Sequence, residues 1–304
     1  MDPAAPTVFD RPLVRRRLER ALAGSFGGFL LDRAADDLEE RLGAVTRAFP
    51  IAADIGTATD AALSVLARSG EVETIVRLAG ATRREPGAHS LVAVADEERL
   101  PLAAESVDLA VSLLALQSVN DLPGALLQVR RALRPDGLLL ACLFGGDTLT
   151  ELRQSFAAAE SELEGGVSPR VAPFADVRSA GALLQRAGFA LPVVDLERVT
   201  VRYGSVFGLT ADLRAMGLTN ALAERRRTPL RRATLMRMAA VYAERFADGD
   251  GRVRATFDIV WLSGWAPHES QQKALRPGSA RSRLADALGA TERPLPGGGS
   301  REDG

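Results

Sequence analysis

The stretch from Ser106 to Gly146, SVDLAVSLLALQSVNDLPGALLQVRRALRPDGLLLACLFGG, decides the fold. Its apolar run Val107 to Leu116 is too short to span a bilayer and has the unbroken apolarity of a strand covered on both faces. Asn120-Asp121 and Pro123 mark a helix start. Leu122, Leu126, Val129 and Leu133 then recur at helical spacing, while Gln128, Arg130, Arg131 and Arg134 take the opposite side. Arg134-Pro135-Asp136-Gly137 reads as a stop and turn, and Leu138 to Phe144 as a second buried strand. Strand, helix and strand in this order predict a βαβ unit with parallel strands, and open parallel sheets bind ligands beyond the carboxyl ends of their strands.

Upstream of this unit, Ile51 to Gly56 reads as the first strand, followed by a turn and a helix over Ala61 to Arg68. Thr74 to Leu78 and Leu91 to Ala95 read as short second and third strands, the latter followed by Asp96-Glu97-Glu98. Before the sheet, Phe9 to Leu22 and Asp32 to Leu42 have helical patterns, and such helices either cover the open side of a ligand cleft or simply pack on the sheet. Downstream, Thr148 to Glu164 predicts a helix with one apolar stripe and a capping box of Thr148 with Glu151. Asp176 to Ala187 predicts another, stopped by Gly188. Leu191 to Tyr203 and Ala255 to Trp265 read as the last strands, with helices near Val206 to Met216 and Arg231 to Phe246 between them. The expected fold is α/β: a doubly wound, Rossmann-like, seven-stranded, mostly parallel sheet with a helical insertion. The expected organisation is N-terminal helices over 1–48, a core over 49–203 plus 252–268, a cap over 204–251 and a flexible tail over 269–304.

The composition is 46% hydrophobic and 25% charged over 304 residues, with a net charge of −1. That balance suits a globular protein and argues against nucleic-acid binding spread over the whole surface. A single cysteine, Cys142, inside an apolar strand excludes an intramolecular disulfide. Two histidines, His89 and His268, offer no zinc cluster or iron triad, so no metal site is expected. The first twenty residues hold Asp2, Asp10 and Glu19 among their arginines and no apolar core of a signal peptide, which points to a cytoplasmic protein, and the preference for arginine over lysine with abundant alanine fits a bacterial source. No transmembrane segment is expected.

Several segments are more particular: VFDR at Val8 to Arg11, ADEERLPL at Ala95 to Leu102, VNDLPGAL at Val119 to Leu126, LRPDG at Leu133 to Gly137, and FGGDTLTELR at Phe144 to Arg153. EGGVSPRVAPF at Glu164 to Phe174, RAGF at Arg186 to Phe189, GWAPHESQ from Gly264 and RPGSA ending at Ala280 follow. Through them the chain resembles the class I S-adenosylmethionine-dependent methyltransferases. More narrowly, it resembles the arginine-hydroxylase family of NADH:ubiquinone oxidoreductase complex assembly factor 5 and its alphaproteobacterial relatives.

The resemblance implies a cofactor, S-adenosylmethionine, lying over the ends of the first and fourth strands. It also implies a protein substrate, a complex I subunit, modified at arginine. Carried over residue by residue, Asp54, Gly56 and Thr57 belong to the first cofactor motif, Asp96 and Glu97 to the adenine-contacting positions, and Gln117 and Asn120 to the strand end where substrate chemistry occurs. Ala58 and Asp60 stand where further glycines are expected, and Asp60 would repel the cofactor's carboxylate. The ribose-gripping acid expected near Leu78 is absent. Three functions therefore stay open: arginine hydroxylation or methylation on a protein, a non-catalytic assembly factor, and small-molecule methyl transfer. Trp261 and Trp265 share one face of the last strand and are expected to pack against the cap. His268 and Glu269, just past that strand, read as structural or partner-contact residues.

Overall fold

Ile51–Ile55 (β1), Thr74–Ala79 (β2), Ser90–Val94 (β3), Val107–Leu113 (β4) and Leu133–Phe144 (β5) run parallel, as the buried apolar runs and the intervening helices require. The computed structural model describes residues 7–80 and 90–271. His89, Lys273, the RPGSA segment and the tail past Gln271 lie outside the described residues. Ala190–Tyr203 (β6) and Val253–Trp265 (β7) complete a seven-stranded sheet of order β3-β2-β1-β4-β5-β7-β6, with β7 antiparallel to both neighbours. Strand order reverses between β1 and β4, where the chain can bind a ligand beyond the carboxyl ends. Met1–His268 forms one compact unit, and the turn Glu269 to Gln271 begins a second.

Helices cover both faces, which is why the central strands are apolar on both sides. On one face lie Leu122–Ala132 (α4) and Val177–Arg186 (α6), burying Leu126, Val129, Ala180 and Leu184 on Leu139, Ala141 and Val260. On the other lie Phe29–Gly43 (α2) and Ala61–Arg68 (α3), burying Leu38 and Leu66 on Leu109, Val111 and Cys142. Arg11–Ala23 (α1) precedes them, with Asp10 as its N-cap through a 3.1 Å bond from the Leu13 N–H. Thr150–Glu164 (α5), Val206–Ala215 (α7) and Arg232–Phe246 (α8) build a third core around Tyr203, Leu209, Tyr242 and Phe257. Since Tyr203 pairs with Val253, the chain over 204–252 is an excursion between two antiparallel neighbours.

Several expectations are corrected. The fourth strand stops at Leu113, and the apolar Leu116 belongs to a short 3₁₀ turn, Leu116–Ser118, that turns the chain across the strand ends. The expected stop at Arg134 to Gly137 is a kink within β5: Leu133 already pairs with Val107, Asp136 adopts φ 64°, and pairing resumes at Leu138. No capping box opens α5. Leu149 takes a left-handed φ of 56° with its N–H on the Thr256 carbonyl at 2.8 Å, while Thr148 and Glu151 bond to β7 at Asp258 and Thr256. These two polar side chains satisfy a strand, not a helix end, and so fix α5 on the sheet. Trp261 and Trp265 pack under α2 instead of the cap. The Trp261 ring stacks beneath Arg41 at 4.5 Å and donates to Asp37 at 3.3 Å, and Trp265 lies 6.5 Å from Phe49.

Candidate active site

The turn after β1 is built from two strands. Asp54, one residue before the end of β1, has no solvent exposure, and neither carboxylate oxygen has a hydrogen bond. Parallel register places Arg77 of β2 beside Asp54 with its side chain on the same face. Its Nε lies 3.8 Å from Asp54, its fork reaches Asp60, and it donates to the Thr59 carbonyl at 2.8 Å. The expected repulsion from Asp60 is thereby overturned: Arg77 holds that carboxylate in the turn as a partner. Burial pushes the Asp54 carboxyl up to about 7, with Thr57 and Arg77 opposing the rise. Thr57 is itself committed, its hydroxyl accepting from the Leu113 N–H at 3.2 Å and so tying the turn to β4. Arg77 escaped the sequence reading; its signal was one charged residue inside the apolar run TIVRLA.

Gly56 is required twice. Its φ is 76°, and an added Cβ would lie 2.8 Å from both the Ala115 methyl and Glu97 Oε1. Glu97 reaches this place because Arg11 of α1 grips it, together with Asp96 at 2.9 Å and the Ser118 carbonyl at 3.2 Å. Arg15 adds a second hold on Asp96 at 3.2 Å. Burial works against the Arg11 charge, but Glu97 and Asp96 outweigh it and raise its pKa. Burial likewise works to raise the Asp96 carboxyl, yet the Glu98 N–H and both arginines hold it below its ordinary value.

Above the ends of β1 and β4, Arg11, Arg15, Gly56 and Glu97 border a cleft of about 860 Å³, counting its open mouth, whereas Asp54, Thr57 and Asp96 stand behind its wall and do not line it. Gly56, Glu97, Ala115 and Gln117 form its floor, and Val14, Leu18 and Leu30 of the N-terminal helices its roof. The cleft runs into a chamber of about 1800 Å³, again with its mouth, between α5, α7 and the loops 167–174 and 217–221. Gln117, Ser118, Phe144 and Leu218 line both. The chamber wall is mainly apolar, with Phe156, Phe174 and Phe257; its charged members among the described residues are Arg170 and Arg214, with no carboxylate.

Gln117 sits at the junction. Its amide Nε2 is held by the Leu114 carbonyl at 2.6 Å, and its Oε1 is buried with no partner. Arg11 Nε is the matching buried donor without an acceptor. Asn120, by contrast, lines neither cavity: its side chain accepts from the Val8 and Phe9 N–H groups at 2.8 and 2.7 Å and donates to the Phe9 carbonyl at 3.2 Å. It anchors VFDR and thereby Arg11. His268 is exposed beyond the end of β7. Because β7 is antiparallel and its Trp265 pairs with Leu138 at the start of β5, that end lies at the edge of the sheet opposite the cleft.

A sheet of this order, with an antiparallel seventh strand and a cleft over β1 and β4, is the class I methyltransferase fold. The family model for a methyltransferase domain matches residues 53–141. The solved structure of the BH2331 protein from Bacillus halodurans C-125 superposes with a TM-score of 0.52 at 13% identity, over 76% of this chain and 98% of that one. Within that class the chain belongs to the family of the arginine-hydroxylase NDUFAF5, mitochondrial. The Danio rerio member is 37% identical over 290 residues, spanning 92% of this chain and 89% of that one. The malonyl-[acyl-carrier protein] O-methyltransferase of Methylovorus sp. is 35% identical over 275 residues, 86% of this chain and 90% of that one.

The cleft suits the amino-acid end of S-adenosylmethionine. An unpaired guanidinium N–H on Arg11 complements a carboxylate, and the unpaired Gln117 carbonyl complements an ammonium together with the Glu97 carboxylate, which lies beside Gly56 although the resemblance assigns it to adenine. At the sugar end, Leu78 is buried in the sheet and no acid takes its place among the described residues; Gly80 follows β2, with Arg15 Nε 3.2 Å from where its Cβ would be.

Proposed function

We propose that this chain binds S-adenosylmethionine in the cleft and modifies an arginine side chain of a protein partner that enters through the chamber. The activity named for its relatives, arginine hydroxylation, and the resemblance to a complex I assembly factor supply the target and the setting. The observation that carries the reading is the continuity of cleft and chamber at Gln117, where a buried acceptor without a partner faces an otherwise apolar junction.

Arg11 holds the cofactor's carboxylate through Nε while Asp96 and Glu97 keep the guanidinium in place. Glu97 and Gln117 accept from its ammonium or from a target N–H. Gln117 cannot rotate freely, since Leu114 fixes its amide nitrogen and thereby presents Oε1 as an acceptor. Leu18, Leu30 and Leu114 exclude water from the cleft, which strengthens each of these polar contacts. When bound, the cofactor supplies a sulfonium whose methyl group can pass to an arginine nitrogen, with S-adenosylhomocysteine and a proton leaving; hydroxylation would need dioxygen and a two-electron reductant as further co-reactants.

The test is removal of the gene followed by mass spectrometry of the purified respiratory complex I. Loss of one oxygen atom from a subunit arginine supports hydroxylation, loss of one methyl group supports methylation, and unchanged subunits overturn the enzymatic reading in favour of an assembly factor.

A second reading, methyl transfer to a carboxylate on an acyl substrate, has one observation in its favour. The chamber is mainly apolar, its charged residues are arginines, and no acid among the described residues lines it to receive a cationic side chain. Methyl transfer from labelled S-adenosylmethionine to malonyl-[acyl-carrier protein] decides it: steady turnover supports this reading and none removes it.

A further inference from the structure

Beside the chamber, Arg17, Arg170, Arg225, Arg226 and Arg227 surround one depression of about 740 Å³ together with Asn220. Arg170 and Asn220 also line the chamber, so the depression is its vestibule. Three of the arginines are matched by acids: Arg170 by the fully buried Glu160, Arg225 by Asp10 at 3.1 Å, and Arg226 by Glu164. The other two are not. Arg17 donates to the Thr219 carbonyl at 2.6 Å, and Arg227 is exposed with no hydrogen bond or ion pair among the described residues. Burial, and after it the neighbouring Arg225 and Arg20 charges, lower the Arg17 pKa, with Asp10 opposing them.

We propose that this vestibule docks an acidic segment of the protein partner, whose carboxylates pair with Arg17 and Arg227 while a neighbouring residue enters the chamber. The proposal rests on the reading that the chamber receives a protein side chain. Planar guanidinium groups match carboxylates in a two-pronged geometry, so unmatched arginines at a cavity mouth select acids. An acidic flank also answers a difficulty of the chamber itself. A lone cationic arginine would meet an arginine-lined mouth and an acid-free wall, and adjoining carboxylates offset that repulsion. A nucleic acid is disfavoured, because its backbone needs a stripe of free cations and the vestibule offers two on a chain of net charge −1.

The test is fluorescence anisotropy of the full chain with a labelled peptide carrying one arginine flanked by glutamates, against its glutamine counterpart. The glutamate peptide should bind and weaken as salt rises from about 50 to about 200 mM. Arg17→Ala and Arg227→Ala should each weaken it about threefold to fivefold. Arg33→Ala, on an exposed arginine paired with Glu197, should leave it unchanged. Arg227 is exposed and has no hydrogen bond or ion pair among the described residues, so its variant is expected to fold as the parent does. Equal binding of the glutamine peptide, no effect of the double variant, or equal binding of an oligothymidylate would overturn the proposal. Calorimetry with S-adenosylmethionine on the same double variant reads the cleft separately. Lost peptide binding with unchanged cofactor binding is expected, whereas peptide docking with no cofactor binding would keep the vestibule and refute the enzyme.

Discussion

Replacing Arg77 by methionine keeps the length and apolar stem of the side chain and removes its charge. The guanidinium is 7% exposed, lies 3.8 Å from the wholly buried Asp54, is bonded to Asp60, and satisfies the Thr59 carbonyl. Breaking a buried pair by removing one partner costs about 3 to 5 kcal/mol. Asp60 retains 25% exposure, so water screens part of its charge and the lower end applies, about 3 kcal/mol. For a chain of this size that is a fall in Tm of about 6 to 12 °C near neutral pH, read by circular dichroism. The same substitution in an Asp60→Asn background should cost less, because one stranded carboxylate is gone. A fall below about 2 °C, or an equal fall in both backgrounds, would refute the claim that Arg77 neutralises the turn.

Asp54 gives a pH dependence of definite sign. Its carboxyl is raised from 3.8 to about 7 in the fold, so the stability it contributes is full below the lower value and lost as pH climbs to the higher one. At about 1.4 kcal/mol per unit this amounts to about 4 kcal/mol at most. Asp54→Asn should flatten the fall in urea-unfolding stability between about pH 5 and about pH 7; an unchanged slope would contradict the assignment. Gly56→Ala combines a φ of 76° with contacts at 2.8 Å and should lower stability by about 2 kcal/mol or more, measured by the same unfolding. Gln117→Ala removes the acceptor at the junction and should weaken S-adenosylmethionine binding about tenfold or more in calorimetry, with little change in Tm.

The layered fold was legible in the sequence because parallel strands buried on both faces and one-sided helices leave strong apolar periods. Val107 to Phe144 states both in one run. Of the residues named from the sequence, Gly56, Glu97 and Gln117 line the cleft, whereas Asp54, Thr57 and Asp96 stand behind it and Asn120 anchors VFDR. Arg77 and Arg11 were missed as partners of Asp60, Asp96 and Glu97, since their pairings join strands and helices distant in the chain. Thr148 with Glu151 shows the same limit from the other side. The spacing of a helix cap was present, but tertiary bonds to Thr256 and Asp258 took both side chains. Trp261 and Trp265 were placed on one face correctly, and only the antiparallel setting of β7 decides that this face meets α2.

The central claim is that the cleft over β1 and β4 accepts S-adenosylmethionine although no acid stands at Leu78, where the resemblance expects the sugar clamp. Calorimetric titration of the purified chain tests it most directly. The account predicts a single site tighter than about 50 µM, abolished when Ala115→Trp fills the floor beside Gly56. No heat of binding at millimolar cofactor, or undiminished binding by that variant, would contradict it.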